Sequence, residues 1–512
     1  MGLARTWSVA IVGVEGHLVQ VEAHSTSGLP AFTLVGLPDT SLSEARERVR
    51  AAVTSSALRW DTRRRTVNLS PASLPKAGSV FDLAVAVACL GADGLASAER
   101  AAGVVHLGEL GLDGRVRPVR GVLPAVAAAV ASGRPDVVVP AANLAEARLV
   151  PGARVCGVRH LAELARTYGA DVTPPSVEAV PDPTGTPPRP AVPDLADVVG
   201  QTDARFALEV TAAGGHHLLM VGPPGAGKTM LAARLPGLLP DLEDEDALEV
   251  TAIHSVAGTF DPGGGLLRRP PFEDPHHTAT AQAIVGGGAG VPRPGAASRA
   301  HRGVLLLDEA PEFARRVLDS LRQPLENGEV VVHRARGSAR YPARFQLVLA
   351  ANPCPCGKAS GKGLACTCTP LERRRYLARL SGPLLDRVDL QIDVPALTRA
   401  AAALGSREES SAAVAARVGA ARAAQRERLA GTPWRANAEV PGAWLRARER
   451  GLDARARTVL ERALDAGTLS LRGMDRVLRT AWTIADLAGS TAPGLDEIGT
   501  AMSLRIRGGA HG

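Results

Sequence analysis

Residues 222–229 read GPPGAGKT, and this octapeptide constrains the fold more than any other feature of the chain. An apolar run, residues 217–221, precedes it and predicts a buried strand, while the residues after it predict a helix. Glycines in such a loop allow backbone N–H groups to surround a phosphate, which the positive end of the following helix also attracts. The pattern is that of a P-loop. It predicts a nucleotide site formed by Gly222, Pro223, Pro224, Gly225, Ala226, Gly227, Lys228 and Thr229.

The side chains predicted to act on this nucleotide follow apolar runs. In a P-loop, Lys228 is expected to bind the β- and γ-phosphates and Thr229 to coordinate Mg²⁺. A second apolar run, residues 303–307, ends in the acidic pair Asp308 and Glu309. We expect Asp308 to hold Mg²⁺ and Glu309 to polarise the attacking water. ATP and Mg²⁺ are therefore the predicted cofactors.

Three further polar residues follow later in the chain. The strand-like run FQLVLAAN ends in Asn352, which is expected to orient the water. Arg387 lies in SGPLLDRVDL, and Arg472 lies in the helical segment LSLRGMDRVLRTAW together with Arg476 and Arg479.

Composition divides the 512 residues into parts. Eight of the 21 residues in 173–193 are Pro, which predicts an extended linker. Before it, residues 1–172 alternate short strand and helix patterns and predict an α+β or α/β domain. After it, we expect an α/β ATPase core over residues 194–398 and a helical domain over residues 399–512.

The N-terminal part resembles a peptidase domain without its nucleophile. The segments LPKAGSVFDLAVAVACL and GELGLDGRVRPVRGVLPA resemble the Lon-type peptidase domain, which has the ribosomal S5-like fold. The resemblance places the nucleophile at Val80 and the general base at Leu123, and neither side chain can do that chemistry. Ser79 is interpreted as a loop residue and Lys76 as a solvated one. The resemblance therefore implies the fold but no peptidase activity.

The order of the motifs after the linker is that of an AAA+ ATPase. The segments PHHTATAQAIVGGG, GVLLLDEAPEF, LRQPLENGEV, ANPCPCG and LSGPLLDRVDL resemble the magnesium-chelatase-like AAA+ group. Together with the Lon-like domain they resemble the YifB/ComM family over nearly the whole chain. The resemblance implies an AAA+ core with an all-helical lid. It implies that Arg387 reaches the γ-phosphate of a neighbouring subunit, which would require an oligomer. It also implies a second sensor of the nucleotide, for which Arg472 is preferred and Arg476 and Arg479 are the alternatives. It also implies a homohexameric, ATP-driven DNA helicase that promotes branch migration.

The stretch between Thr229 and Val304 is longer than one helix and one strand require. Its excess, roughly residues 261–298, is rich in Gly and Pro and resembles the helix-2 insertion of this AAA+ group; a surface loop is the alternative. His276 and His277 lie in it. Adjacent histidines point in different directions and lack partners at ligand spacing, so a loop role is predicted rather than a metal site.

A basic hairpin is predicted between the acidic pair and Asn352. Two β-rich runs flank Arg334, Arg336 and Arg340, with Gly337 and Ser338 at the tip. In a ring these arginines could bind the phosphate backbone of DNA. A solvated charged hairpin is the alternative, since chelatase subunits carry a similar element.

Four of the six cysteines form the pattern C-x-C-x₉-C-x-C. They are Cys354, Cys356, Cys366 and Cys368. Four thiolates in one loop could hold a tetrahedral Zn²⁺, and reduced structural thiols are the equal alternative. Cys89 and Cys156 lie in apolar segments and are predicted to be core residues.

Charge and hydropathy indicate which partners and which cellular location to expect. The net charge of +7 permits a polyanionic partner without requiring one. No apolar run approaches the length of a membrane span, and acidic residues early in the chain argue against a signal peptide, so a cytoplasmic location is expected. A chelatase subunit and a protein-remodelling ATPase remain alternatives to the DNA motor. The Lon-like domain argues against a tetrapyrrole partner.

Overall fold

The computed structural model describes most of the chain. The described residues are 2–36, 44–76, 78–178, 193–288, 292–334, 337–359, 365–396, 408–447, 452 and 454–505. They form two large sheets, two separate strand pairs, helices around the sheets and a helical C-terminal region, so the predicted α/β class is confirmed.

A seven-stranded mixed sheet organises the N-terminal part. Its strand order is β3-β4-β2-β1-β5-β8-β9, and the short pair β6 and β7 lies outside it. The strands are β1 Gly2–Val12, β2 Glu15–Thr26, β3 Ala31–Val35, β4 Arg64–Ser70, β5 Val105–His106, β6 Glu109–Leu110, β7 Val116–Arg117, β8 Asp136–Pro140 and β9 Arg154–Val158. The helices are α1 Ala45–Ser55, α2 Asp82–Ala92, α3 Ala98–Ala101, α4 Val122–Ala131, α5 Leu144–Ala147 and α6 Leu161–Thr167. Helices α2 and α4 pack on β1 and β2 because both are almost wholly apolar.

The second sheet is parallel throughout, with strand order β11-β12-β15-β10-β16. Its strands are β10 Leu218–Val221, β11 Phe272–Glu273, β12 Val304–Leu307, β15 Gln346–Ala351 and β16 Leu390–Asp393, and a separate antiparallel hairpin pairs β13 Glu329–Arg334 with β14 Gly337–Pro342. Every residue of β10, β12 and β15 is buried, as in sheets covered on both faces. Because the strands are parallel, their carboxyl ends all lie along one edge of the sheet, and the loops that follow them meet there.

Helices cover the parallel sheet and continue into the C-terminal region. Those of the core are α7 Thr202–Gly214, α8 Lys228–Ala232, α9 Asp244–Ala257, α10 Ala281–Val285, α11 Ala296–Arg299, α12 Arg315–Ser320, α13 Arg322–Asn327, α14 Pro370–Leu377 and α15 Gly382–Leu385. The C-terminal helices are α16 Ser411–Arg428, α17 Gly442–Ala447, α18 Ala454–Asp465, α19 Leu471–Leu487 and α20 Leu495–Ser503. Residues of α16 and α19 share one hydrophobic core with α7 and the sheet.

The N-terminal part contacts the ATPase core through α9. The Ser255 hydroxyl of α9 donates to the buried Glu146 carboxylate, which also accepts from the backbone N–H of Leu123. Ala252 of α9 belongs to the same hydrophobic cluster as Leu123. A satisfied buried carboxylate therefore fixes the approach of the two parts.

Both positions that the peptidase resemblance assigns to the dyad carry packed hydrophobic side chains. Leu123 is fully buried, and Val80 packs against two hydrophobic clusters. Ser79 donates to Glu109 instead. The interpretation of Lys76 as a solvated residue was wrong: its side chain is buried and its ammonium donates to the carbonyl of Pro71.

The assignment of Cys156 to the core was also wrong, because Cys156 is exposed whereas Cys89 is buried. Cys156 lies on β9, the edge strand of the seven-stranded sheet. On β9, Arg154 and Cys156 are exposed, whereas Val155 and Gly157 are partly buried. An apolar run can therefore still present alternate positions to solvent when the strand is at an edge.

Candidate active site

The P-loop connects the end of β10 to the start of α8. Gly227 precedes α8 with φ of +87°, a conformation that glycine adopts without the strain other residues incur. At Gly222 a Cβ atom would lie 2.1 Å from the carbonyl oxygen of Val394, so only glycine permits this approach of the two strand ends. Both glycines are required by the backbone that surrounds the candidate phosphate position.

All three ammonium donors of Lys228 are used within the site. Its Nζ donates to the carbonyls of Gly222 at 2.8 Å and Pro223 at 3.0 Å, and to Oδ1 of Asn352 at 3.2 Å. Burial lowers the pKa of Lys228, while the charges of Asp308 and Glu309 act in the opposite direction. The strands explain the contact with Asn352, because Val221 and Ala351 are register partners just before it.

The residues predicted to hold Mg²⁺ lie together at the same edge. The Thr229 hydroxyl donates to Oδ2 of Asp308 at 2.6 Å, and the backbone N–H of Glu309 donates to the other carboxylate oxygen at 2.8 Å. Glu309 has φ of +51°, which is uncommon for a residue with a side chain, and about half of its side chain is exposed. A hydroxyl and a carboxylate side by side are oxygen ligands of the kind Mg²⁺ prefers.

The residues therefore fit a magnesium nucleotide. Lys228 would meet the phosphates and Thr229 and Asp308 would hold the metal, which would neutralise charge on the transferred phosphoryl group. Glu309 and Asn352 follow the neighbouring strands β12 and β15 and lie at the same edge. These five residues come from three parallel strand ends, as the sequence predicts.

Both candidate arginines lie at the opposite edge of the sheet, where strands β10 and β16 begin. Asp389, two residues after Arg387, accepts from the backbone N–H of His217 just before β10. Arg387 pairs with Glu326 of α13, and Arg472 lies 3.7 Å from Asp386 with its side chain 81% exposed. The four residues of β10 separate this edge from the P-loop by about 13 Å. Neither arginine is recorded in contact with the P-loop residues that the structure describes.

The alternatives to Arg472 have structural partners. Arg476 is nearly buried, 3.3 Å from the carboxylate of Asp389, and burial lowers its pKa to about 10. Arg479 donates to the carbonyl of Val440. Arg472 is thus the most exposed of the three.

The predicted basic hairpin is present as β13 and β14. Arg334 pairs in register with Gly337, and Arg340 pairs with Val331. The Arg340 side chain is 66% exposed and lies 3.3 Å from Glu329, which offsets part of its charge. Arg336 lies outside the described residues.

The four cysteines of the C-x-C-x₉-C-x-C pattern lie together. Their sulfur atoms are all within 4.8 Å of one another, and the Sγ of Cys354 is 3.3 Å from that of Cys356 and 3.6 Å from that of Cys366. The backbone N–H of Lys358 lowers the pKa of Cys356 to about 5. A Cβ atom at Gly357 would lie 2.6 Å from Pro224, so this loop packs directly against the P-loop.

One contact at the site was missed by the sequence reasoning. His277, to which a loop role was assigned, has its Nδ1 atom 3.0 Å from Oε2 of Glu309. The excess segment before β12 also contains β11, a strand of two residues at the edge of the sheet. A two-residue strand has no periodicity that a sequence pattern could reveal.

Comparison with known proteins places this geometry in a family. The model for magnesium chelatase, subunit ChlI, matches residues 194–402, that for subunit ChlI of Mg-chelatase matches residues 21–143, and that for the ChlI C-terminal region matches residues 408–505. Competence protein ComM of Haemophilus influenzae is 42% identical over 96% of this chain and 94% of its own length. The chain belongs to the YifB/ComM family.

Other members and a more distant relative agree with that assignment. YifB of Escherichia coli is 41% identical over 99% of this chain and 97% of its own length, and an uncharacterized protein of Mycobacterium tuberculosis is 53% identical over 99% of both. The magnesium-chelatase 38 kDa subunit of Rhodobacter capsulatus is 32% identical over 34% of this chain and 53% of its own. The YifB/ComM protein described here is thus a magnesium-chelatase-like AAA+ ATPase. Within the described residues, its helices lack the combined length and apolar character that crossing a bilayer demands.

Proposed function

We propose that this YifB/ComM protein is an ATP-driven ring motor that acts on DNA, with the branch-migration helicase activity that its family resemblance implies. The separation of the site into two halves carries the proposal. Lys228, Asp308 and Glu309 occupy one edge of the parallel sheet, and Arg387 and Arg472 occupy the other. Arginines at the edge of the sheet opposite the P-loop of their own subunit support assembly into a closed ring, since each subunit can complete the site of the next.

Hydrolysis in the proposed site follows from the geometry. Lys228 would exchange the carbonyls of the P-loop for the phosphates, and Thr229 and Asp308 would hold Mg²⁺, which would neutralise phosphate charge. Glu309 accepts a proton from the attacking water, which Asn352 orients. Charge that develops on the γ-phosphate is met by Arg387 of the neighbouring subunit, and Arg472 of that same neighbour lies beside it.

DNA binding is assigned to the hairpin of β13 and β14. Arg334, Arg336 and Arg340 supply its positive charge, and each phosphate contact that is lost should lower the salt slope of binding by about one unit. Replacing all three with Ala should reduce DNA affinity and DNA-stimulated hydrolysis, while ATP binding is kept. Arg154→Ala is the matched control, because Arg154 is an exposed arginine of β9 that pairs with Asp136. A folded triple variant with unchanged affinity and salt dependence would refute this assignment.

A branched-DNA assay tests the function as a whole. The purified chain, with ATP and Mg²⁺, should convert a four-way junction into its product duplexes and should assemble into hexamers in sizing experiments. Hydrolysis that responds to unfolded protein but not to DNA would favour the remodelling alternative. Stimulation by a tetrapyrrole-binding partner would favour a chelatase role.

We also propose that Cys354, Cys356, Cys366 and Cys368 bind one Zn²⁺. A tetrahedral site with Zn–S bonds of about 2.3 Å needs sulfur pairs about 3.8 Å apart. The sulfur atoms of Cys354, Cys356 and Cys366 lie 3.3, 3.5 and 3.6 Å apart, close to that value. The first of the four ligands follows Asn352 by two residues, so the ion would brace the loop that carries Asn352 against Pro224 of the P-loop.

Metal analysis tests the zinc site. Protein purified under reducing conditions should contain about one zinc per chain, as four-thiolate sites bind a single ion. Cys366→Ser and Cys368→Ser should lose it. Cys156→Ser should not, because Cys156 is exposed on β9 and remote in sequence from the cluster. Zinc retained by the Cys366→Ser, Cys368→Ser double variant would show that the ion binds elsewhere.

A further inference from the structure

The turn that joins β1 to β2 lies directly against the hairpin assigned to DNA. At Gly13 a Cβ atom would lie 2.2 Å from the carbonyl oxygen of Arg340 on β14 and 3.1 Å from its backbone nitrogen. Gly13 has φ of +69° and is buried, whereas the tip of a hairpin normally faces solvent. The N-terminal part therefore contacts β14 at a point where only glycine fits.

The contact is made with the edge of β14 that faces away from β13. The backbone N–H of Ala343 donates to the carbonyl of Gly328, so the backbone groups of Ala343 point toward β13. Those of Pro342 and Arg340, at the alternate positions of the strand, point the other way. Pro342 lacks an N–H donor, as is common on an unpaired edge. Gly13 thus covers a strand edge that has no strand partner within the described residues.

The contact fixes the backbone of β14 without covering its charge. The Arg340 side chain remains 66% exposed. The next residue, Tyr341, is buried, and its hydroxyl donates to the carbonyl of Pro292 at 2.6 Å. Two separate contacts therefore hold β14 while the Arg340 side chain stays open to a phosphate backbone.

The turn is carried on a support that is fixed to the ATPase core. Ile11 and Leu18, on either side of the turn, pack against the hydrophobic cluster that contains Ala252 of α9. Helix α9 is itself held to the residues before β12, since the buried His301 has its Nε2 atom 2.8 Å from Oε2 of Glu249. The position of the turn is therefore set by α9, and the hairpin gains a point of attachment to the N-terminal part.

We propose that the N-terminal part positions the hairpin for DNA, with the turn at Gly13 seated on Arg340 of β14. This assigns a function to a domain whose peptidase positions, Val80 and Leu123, carry hydrophobic side chains. The inference rests on the proposed function for the hairpin as the DNA contact. A hairpin that is already held in place loses less conformational freedom when DNA binds, so the contact raises DNA affinity without touching the nucleotide site.

Gly13→Ala tests the contact, because its Cβ atom would force the turn and β14 apart. With a fluorescent four-way DNA junction, the affinity of this variant should fall roughly three- to tenfold, about the cost of ordering one side chain on binding. DNA-stimulated hydrolysis should fall with it, and basal hydrolysis should stay at the parent rate. The salt slope should stay unchanged because Arg334, Arg336 and Arg340 are all retained, which distinguishes a displaced hairpin from a lost phosphate contact.

Gly94→Ala is the matched control. Gly94 lies in the same domain with φ of +74°, and a Cβ atom there would have no described atom within 4 Å beyond its chain neighbours. Alanine meets similar backbone strain at both positions, so DNA affinity should fall only in Gly13→Ala. An equal loss in both variants would assign the effect to strain and overturn the proposal. If the alanine variant at Gly13 does not fold, Gly13→Asn and Gly94→Asn replace the pair, since asparagine tolerates the left-handed conformation and still carries a Cβ atom.

Hydrogen exchange of β13 and β14 without DNA tests the positioning by itself. Amide exchange there should be faster in Gly13→Ala than in Gly94→Ala and the parent, because the hairpin has lost one of its supports. Equal exchange in all three folded proteins would overturn the proposal. Faster exchange combined with unchanged DNA affinity would show that the turn holds the hairpin and would refute the assignment of the hairpin to DNA.

Discussion

The two edges of the parallel sheet handle polar side chains in different ways. At the edge of the P-loop, Thr229 and Glu309 are exposed, and their contacts are with Asp308 and His277. At the other edge, His216 is fully buried and lies 3.4 Å from the nearly buried carboxylate of Asp389, while its Nε2 atom is 2.8 Å from the Thr483 hydroxyl. The contacts at the first edge involve exposed side chains and can be exchanged, whereas the contacts at the second edge are buried within the folded structure. Changes at the first should affect hydrolysis, and buried changes at the second should affect stability.

Mixing two variant proteins gives the strongest test of the difference between the P-loop edge and the arginine edge. The expected effect is large, because an arginine finger contributes about 10³-fold or more to the rate of hydrolysis. Lys228→Ala should abolish ATP binding, whereas Arg387→Ala should bind ATP and hydrolyse it poorly. Mixing the two should partly restore activity, since each supplies what the other lacks.

The same mixing experiment shows whether Arg472 acts on the nucleotide of its own subunit or on that of a neighbour. Arg472→Ala mixed with Lys228→Ala should regain hydrolysis if Arg472 serves the neighbouring nucleotide, as the two-edge arrangement implies. No recovery in a mixture that forms the same oligomer as the parent would mean that Arg472 acts within its own subunit.

Glu309→Gln should bind ATP normally and lose about 10²- to 10⁴-fold in kcat, the usual contribution of a general base. Glu312→Gln is its control, because Glu312 lies 3.0 Å from Arg379 rather than at the nucleotide position. Binding is measured with a fluorescent ATP analogue and turnover by phosphate release. Turnover of Glu309→Gln at the parent rate would assign the base elsewhere.

Asp389→Asn should lower the free energy of unfolding by about 3 kcal/mol, because it leaves buried cationic neighbours without their partner. Burial alone would raise the pKa of Asp389, yet the hydrogen bond with His216 and the charges of His217 and Arg476 outweigh it and lower that pKa. Its contribution is therefore present above the usual carboxyl pKa and is lost as the pH falls below it. Asp386→Asn, at a half-exposed position of the same edge, should cost much less in urea unfolding.

The smallest expected effect is on the pH dependence of stability, and it concerns His106, a buried residue of the N-terminal sheet. Burial lowers the pKa of His106 to about 3, and its ring lies within hydrogen-bond distance of Thr6 and Tyr168. The unfolded chain binds a proton there below about pH 6.5 and the folded chain does not, so stability falls with the pH through this window. Between pH 7.5 and 5.5 the loss should be about 1 kcal/mol. His106→Gln should flatten the profile, and the exposed His24→Gln should not; equal slopes in all three proteins would remove His106 as the cause.

The sequence by itself determined the nucleotide half of the site. Lys228, Asp308 and Asn352 each follow an apolar run, and parallel strands necessarily bring their carboxyl ends to one edge. The prediction needed no knowledge of distances, because strand order and direction follow from the P-loop fold. The cysteine pattern likewise placed its four members in one loop, within reach of each other.

Tertiary structure alone decided features that depend on register and on neighbours distant in sequence. Strand β11 is too short to show a pattern, yet its pairing with β12 places His277 against Glu309. Burial of Lys76 and exposure of Cys156 depend on whether the chain around each is covered, which a run of apolar residues does not reveal. The separation of Arg387 from Lys228 became visible only once Asp389 was found just before β16, bonded to the residue that precedes β10. Local patterns report what a strand can bury, whereas pairing of strands far apart in the chain decides which side chains meet.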